Sequence, residues 1–177
     1  MPEIKLDEAR RTGVLSDEVL LQIPGYQLDA QKAAKGPLVM IECAQNIPCN
    51  PCETVCPKNA ITVGDPITNL PVVDPEKCIG CGICVAACPG LAIFLVDLHA
   101  GEGLASVTFP YEYLPVPQKG DRVTAVDRAG KPVCDATVEK VVSVKTYDMT
   151  KVVTITVPLA YANVARGIER KKEALTI

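Results

Sequence analysis

Nine cysteines stand in this chain of 177 residues, and eight of them fall into two sets of related spacing. The later set reads Cys78-x2-Cys81-x2-Cys84-x3-Cys88 and is followed by Pro89. The earlier reads Cys43-x5-Cys49-x2-Cys52-x3-Cys56 and is followed by Pro57. The likeness runs past the cysteines, since residues 56–61 (CPKNAI) echo residues 88–93 (CPGLAI). Iron in a cubane cluster takes three bonds from inorganic sulfide and a fourth from a thiolate. Two sets of four thiolates are the protein ligands that two such clusters require. Two residues between consecutive cysteines let a loop wrap one cluster corner after another, and Gly80 and Gly82 let the second loop turn tightly and aim backbone N–H groups at sulfur. Ile79, Ile83 and Val85 stand where they would exclude water.

Residues 43–93 resemble the bacterial dicluster ferredoxins, whose C-x2-C-x2-C-x3-C-P run holds [4Fe-4S] clusters. The resemblance implies crossed ligation, in which the fourth cysteine of each run serves the other cluster. Carried over, Cys78, Cys81, Cys84 and Cys56 hold one cluster, and Cys49, Cys52, Cys88 and one further group hold the second. It also implies a pseudo-twofold pair of ββ-type halves with a short helix after each loop.

One position departs from the family pattern. The copies are offset by 32 residues, as 88 − 56, 84 − 52 and 81 − 49 all give, so the counterpart of Cys78 is Asn46. Cys43 lies three residues earlier. Two readings stay open. In one, residues 44–48 bulge and Cys43 reaches the fourth iron. In the other, the corner is open and holds [3Fe-4S], or Asn46 or water caps it. The metal-site set is therefore Cys43, Cys49, Cys52, Cys56, Cys78, Cys81, Cys84 and Cys88, with two [4Fe-4S] clusters expected and [3Fe-4S] as the variant at Cys49/Cys52/Cys88. Cys134, in a β-patterned stretch, reads as a structural thiol, and His99 as a surface or packing residue.

The elements that must position these loops follow from the rest of the chain. Residues 1–37 read as a polar leader in which Ser16 caps a short helix through Leu21, with a second helical stretch at 29–34. Residues 38–98 form the dicluster unit, with strands at 38–42, 61–63, 70–73 and 92–98. Residues 99–118 read as a connector punctuated by Gly101, Gly103, Pro110, Pro115 and Pro117. Residues 119–177 form a β-rich domain with strands at 122–127, 132–138, 141–145 and 152–157 and a helix at 159–175. The expected class is α+β: a dicluster ferredoxin-like unit plus a small barrel-like C-terminal β-rich domain ending in a helix.

Composition narrows the function classes. The chain is 48% hydrophobic and 22% charged, and without Trp its core must be aliphatic. A net charge of −3 argues against nucleic acid as a partner. The charge is uneven: residues 40–98 carry six acids against two bases, residues 99–177 nine acids against eleven bases. No apolar run is long enough to span a membrane. Nine cysteines behind a charged N-terminus without an export signal point to a reducing, cytoplasmic setting, where metal binding is favoured over disulfides. A structural zinc module would also use C-x2-C pairs, but in pairs separated by longer loops. A dinucleotide fingerprint, a P-loop and a Ser/His/Asp set are all missing, so the chain is not read as an enzyme on its own.

What remains is a carrier of single electrons. One alternative is a free-standing soluble ferredoxin. The other is the ferredoxin-like subunit of a larger oxidoreductase, with a flavoprotein dehydrogenase subunit as partner. The leader and the segment 41–53 (IECAQNIPCNPCE) resemble small iron–sulfur subunits of flavin-dependent dehydrogenases, and the extensions on either side of the cysteine unit favour docking into such a complex.

Overall fold

The computed structural model describes residues 6–26 and 36–170. Two short helices, α1 (Asp7–Thr12) and α2 (Asp17–Leu20), precede strand β1 (Leu38–Ile41). The cysteine loops follow with helix α3 (Pro51–Thr54), strands β2 (Ile61–Thr62) and β3 (Val72–Val73), and helix α4 (Ile83–Ala87). Six strands complete the described chain: β4 (Ile93–Gly101), β5 (Leu104–Tyr111), β6 (Arg122–Val126), β7 (Pro132–Val142), β8 (Lys151–Pro158) and β9 (Gly167–Ile168). Single 3-10 turns lie at Lys145–Tyr147 and Leu159–Tyr161. Strands β2 and β3 pair with each other, and the other seven form one antiparallel sheet in the order β1-β4-β5-β8-β7-β6-β9.

Alternation decides how this sheet packs. In β5, Ala105, Val107, Phe109 and Tyr111 are buried on one face, opposite Val157, Ile155, Val153 and Lys151 of β8. On the other face Thr108 and Thr154 join hydroxyls at 2.8 Å. Cross-strand pairs of this kind are what stabilise a sheet. Met40, Phe94, Val96, Ala125, Ala136 and Val138 belong to the same core as Phe109 and Ile155, so the sheet curls around its own apolar face.

Strand β1 and residues 93–96 of β4 are apolar on both sides, as strand segments with two buried faces must be. Met40 and Phe94 are paired and point into the curled core. Val39, Ile41, Ile93 and Leu95 point the other way, into a second core with Val85 of α4, Ile61, Val63 and the cysteines. That is why residues 38–41 (LVMI) are all buried.

A buried ion cluster ties the sheet's ends together. Glu42, just after β1, accepts from Arg128 after β6 and from Arg166 before β9, with contacts of 2.6 Å from each. Arg128 Nε adds a second bond at 2.9 Å. Arg166 Nη1 donates to the carbonyls of Ala162 and Ala165, and its guanidinium lies 5.1 Å from the centroid of the Phe94 ring. Burial pushes the Arg166 guanidinium down, against the pull of Glu42.

The leader packs on the cysteine unit. Ser16 Oγ accepts from the Val19 N–H, capping α2. Leu20 and Ile23 bury against Ala44. The Gly25 carbonyl accepts the Ile41 N–H at 2.9 Å, and a Cβ at Gly25 would lie 2.8 Å from Ile41 Cβ and 2.9 Å from the Pro71 carbonyl, so no larger residue fits there. The helical stretch expected at 29–34 lies outside the described residues.

Four expectations are corrected. The connector at 99–118 is largely strand, because Gly101 and Gly103 belong to the turn of the β4–β5 hairpin rather than to a linker. The residues beyond it therefore do not form a separate sheet, since β8 pairs directly with β5 and continues the ladder that begins at β1. The helix expected over 159–175 is absent from its described part. Leu159–Tyr161 makes one 3-10 turn, and Gly167–Ile168 pairs with β6. The physical reason is the open edge of β6: Arg166 N–H donates to Val126 O and Glu169 N–H to Thr124 O, both at 2.8 Å. Gly167 also disfavours a helix by about 1 kcal/mol relative to Ala. Finally, 132–138 and 141–145 are not two strands. β7 runs unbroken through Val142, with an irregularity between Val138 and Lys140.

Phe109, 2% exposed at the centre of the curled core, makes a direct test of this packing. Phe109→Ala is expected to destabilise the protein by about 3–5 kcal/mol, read as a lower urea midpoint with an unchanged slope.

Candidate metal centre

Each cysteine is placed by a local feature the sequence dictates. Pro51 at the start of α3, with its fixed φ, sets the helix that carries Cys52, and Cys56 follows its end. Helix α4 carries Cys84 and ends at Cys88. The second loop turns at Gly80 and Gly82, both left-handed with φ of 64° and 77°. Gly80 is also pressed against Pro37, where any Cβ would collide. The repeat is kept in the backbone beyond the cysteines. Ala60 N–H donates to Cys56 Sγ at 3.2 Å, and its counterpart Ala92 N–H donates to Cys88 Sγ at 3.5 Å. Asn59 and Leu91, again 32 apart, are both left-handed, with φ of 49° and 51°.

The eight cysteines line two cavities. Cys56, Cys78, Cys81 and Cys84 line one, walled by Val39, Ile61, Ile79 and Leu95. Cys43, Cys49, Cys52 and Cys88 line another, walled by Ile41, Ile47, Pro71 and Ile93. Each cavity thus draws one cysteine from the other's run. Cys43 is in the second cavity; Asn46 is not among its lining residues, and its Nδ2 donates to the Thr68 carbonyl at 3.0 Å. The ninth cysteine, Cys134, lies on β7 paired with Ala125, apart from both cavities. His99 sits near the end of β4 with Nδ1 3.8 Å from Asp97. Among the described residues no three His, Cys, Asp or Glu side chains converge on a single ion; the thiols ring volumes instead.

Burial shapes the thiols. It pushes Cys84 up to about 12, with Cys78, Cys81 and Cys56 adding to the rise. It pushes Cys52 up to about 11, with Cys88 the next contributor. Cys43 is raised for the same reason, against a backbone hydrogen bond from Gln45. A metal removes this penalty, since a coordinating thiol is deprotonated outright. The donor chemistry fits iron–sulfur clusters: four thiols per cavity, apolar walls, and backbone N–H groups aimed at sulfur.

Sequence reading missed several supports. Glu53 of α3 accepts from the Val63 and Gly64 N–H groups at 3.1 and 3.3 Å and so ties the helix to the segment after β2. Tyr147, from the 3-10 turn between β7 and β8, packs against the apolar core around the first cavity, and burial together with Cys81 and Cys84 raises its hydroxyl. The shared Ala-Ile of the two repeats was the available signal for the N–H···S pair. Nothing in the sequence marked Tyr147.

Comparison with known proteins follows the same residues. Residues 71–94 match the 4Fe-4S binding domain family. An uncharacterised ferredoxin of Methanocaldococcus jannaschii is 49% identical over 45 residues, which is 25% of this chain and 28% of that one. One component of the Na+-translocating ferredoxin:NAD+ oxidoreductase complex of Acetobacterium woodii is 53% identical over 45 residues, 25% of this chain and 13% of that one. The polyferredoxin-like subunit of the aliphatic sulfonate oxidoreductase of Pyrococcus furiosus is 49% identical over 53 residues, 30% of this chain and 28% of that one. The cysteine region is thus of ferredoxin type and resembles iron–sulfur segments of oxidoreductase subunits. The match spans less than a third of each of these relatives. No solved structure matches the chain. Among the described residues no helix is long and apolar enough to cross a membrane.

The raised thiols set a pH dependence for the cluster-free chain. A folded value above the ordinary thiol value of 9.0 means that the stability linked to the neutral thiol is complete below about pH 9 and is lost as the pH rises toward the folded value. Urea midpoints of cluster-free protein are therefore expected to fall above pH 9. At pH 8, alkylation followed by mass spectrometry should label the exposed Cys81 well before Cys84 and Cys52, because the thiolate is the nucleophile.

Proposed function

We propose that this protein relays single electrons through two [4Fe-4S] clusters, as the iron–sulfur subunit of a larger oxidoreductase. One cluster is held by Cys56, Cys78, Cys81 and Cys84, the other by Cys43, Cys49, Cys52 and Cys88. The observation that carries this reading is the pair of cavities, each lined by four cysteines with one crossing from the other run. The clusters supply one-electron chemistry when bound. The chain's own residues do the rest. Ile41, Ile93, Val39 and Leu95 keep water from the sulfur sites, and the Ala60 and Ala92 N–H groups stabilise negative charge on Cys56 and Cys88. Cys52 of α3 and Cys84 of α4 lie in one apolar core and the two helices pack on each other, which supports adjacent clusters and a short internal electron path.

The partner we propose is a flavoprotein dehydrogenase subunit, and the compartment the reducing cytoplasm. The names of the relatives support membership of a complex, since two of the three are subunits of oxidoreductases. Glu42 apart, which is buried against two arginines, the acids of 40–98 outnumber the bases, and this balance, made more negative by thiolate-bound clusters, supports docking on a basic surface of that partner.

Anaerobically reconstituted protein is expected to bind about eight irons per chain and to show two interacting reduced clusters by EPR after dithionite. Cys56→Ala is expected to remove the cluster of Cys78, Cys81 and Cys84 and to leave the other. Absence of iron would overturn the function; loss confined to the Cys49/Cys52 cluster would overturn the crossed assignment.

A further inference from the structure

Cys43 reaches its cavity by a route unlike that of the other cysteines. It follows closely on β1, whereas the register of the repeat places the counterpart of Cys78 at Asn46. The Glu42 N–H donates to the Ala92 carbonyl at 2.8 Å, which continues the β1–β4 ladder one residue past Ile41. Along such a chain neighbouring side chains point to opposite faces. Ile41 lies in the core around the cysteines, Glu42 turns to Arg128 and Arg166, and Cys43 turns back to the cavity.

Glu42 is thus held on one face while its neighbour presents sulfur on the other. Its side chain is 6% exposed and its arginine partners 14% and 3%. Arg128 and Arg166 come from the far end of the chain, 86 and 124 residues away. The remaining members of that cavity, Cys49, Cys52 and Cys88, sit at or beside α3 and α4, which the repeat itself builds. Cys43 lacks the short loop that places Cys78 in the second run.

We propose that Glu42, Arg128 and Arg166 are positioning residues for Cys43, and that the C-terminal strands secure through them the fourth ligand of the Cys49/Cys52/Cys88 cluster. The inference rests on the cluster reading above. When Cys43 is not held, its iron leaves as Fe2+ once the cluster gives one electron to an added oxidant such as ferricyanide, and [4Fe-4S]2+ becomes [3Fe-4S]+. The four-iron form is thereby kept by an ion cluster on the opposite face of the strand.

The test compares Glu42→Gln, Arg128→Met, Arg128→Lys and Cys43→Ser with the parent protein, all reconstituted and then treated with ferricyanide. Iron content, EPR and circular dichroism are read together. Glu42→Gln and Arg128→Met are expected to fall from about eight irons toward about seven, with the narrow oxidised-state signal of a three-iron cluster, as Cys43→Ser does. The signal of the Cys56/Cys78/Cys81/Cys84 cluster should persist, and Arg128→Lys should stay closer to the parent. Parent-like iron and no three-iron signal in folded Glu42→Gln and Arg128→Met would overturn the inference. So would parallel loss of both clusters, which would mark a general structural role. A parent protein without iron would instead overturn the cluster reading, and this inference with it.

Discussion

Strand β1 and the first half of β4 pack on both faces, and the rest of the molecule is arranged around that double burial. One face, with Met40, Phe94 and Val96, belongs to the curled sheet. The other, with Val39, Ile41, Ile93 and Leu95, is the floor of the cysteine unit. Burying apolar surface contributes about 25 cal/mol per Å², so neither unit can leave this pair of strands without exposing a core. The cysteine loops are held on a rigid sheet for that reason, although α3 and α4 are only four and five residues long. Helices of that length have no stability of their own in water.

The ion cluster at Glu42 adds direction to this packing. Removing one partner from a buried pair typically costs about 3–5 kcal/mol, because the remaining charge is left in a low dielectric. Here two guanidiniums share one carboxylate; the carbonyls of Ala162 and Ala165 accept from Arg166 Nη1, while its Nη2 is buried without a hydrogen-bond partner among the described residues. Such a group adds less to net stability than to geometry. It brings the residues after β1 and β6 and before β9 to one point. The leader closes on the same region, where Tyr26 accepts from Arg128 at 3.3 Å and Gly25 lies against Ile41.

Much of the cysteine unit was legible because its constraints are local. A thiolate every three residues, a turn at Gly80 and a Pro51 at a helix start act within a few residues of themselves. The strands at β1 and β4 were legible from their apolar runs, and β6 from the alternation that puts Val123 and Ala125 on one side. The C-terminal helix was misread because Leu159, Ala160, Val164 and Ala165 have helical spacing, while the bonds that decide the matter come from β6, which is distant in sequence. The connector was misread because Gly101 and Gly103 mark a hairpin turn as well as a linker. In both cases a sheet edge with unpaired N–H and C=O groups outweighed a local preference.

The sequence by itself determined the chemistry: eight cysteines in two offset runs, with the residues that turn and shield each loop. Those choices are written in residue types and spacings, and short-range geometry enforces them. Only the tertiary structure decided which four cysteines share a cavity, that Cys43 and not Asn46 lines the second, and that one sheet unites the two halves. These depend on contacts between residues far apart in the chain. Glu42 and Arg166 illustrate the difference: each alone is an ordinary charged residue, and only the curl of the sheet buries them together at 2.6 Å.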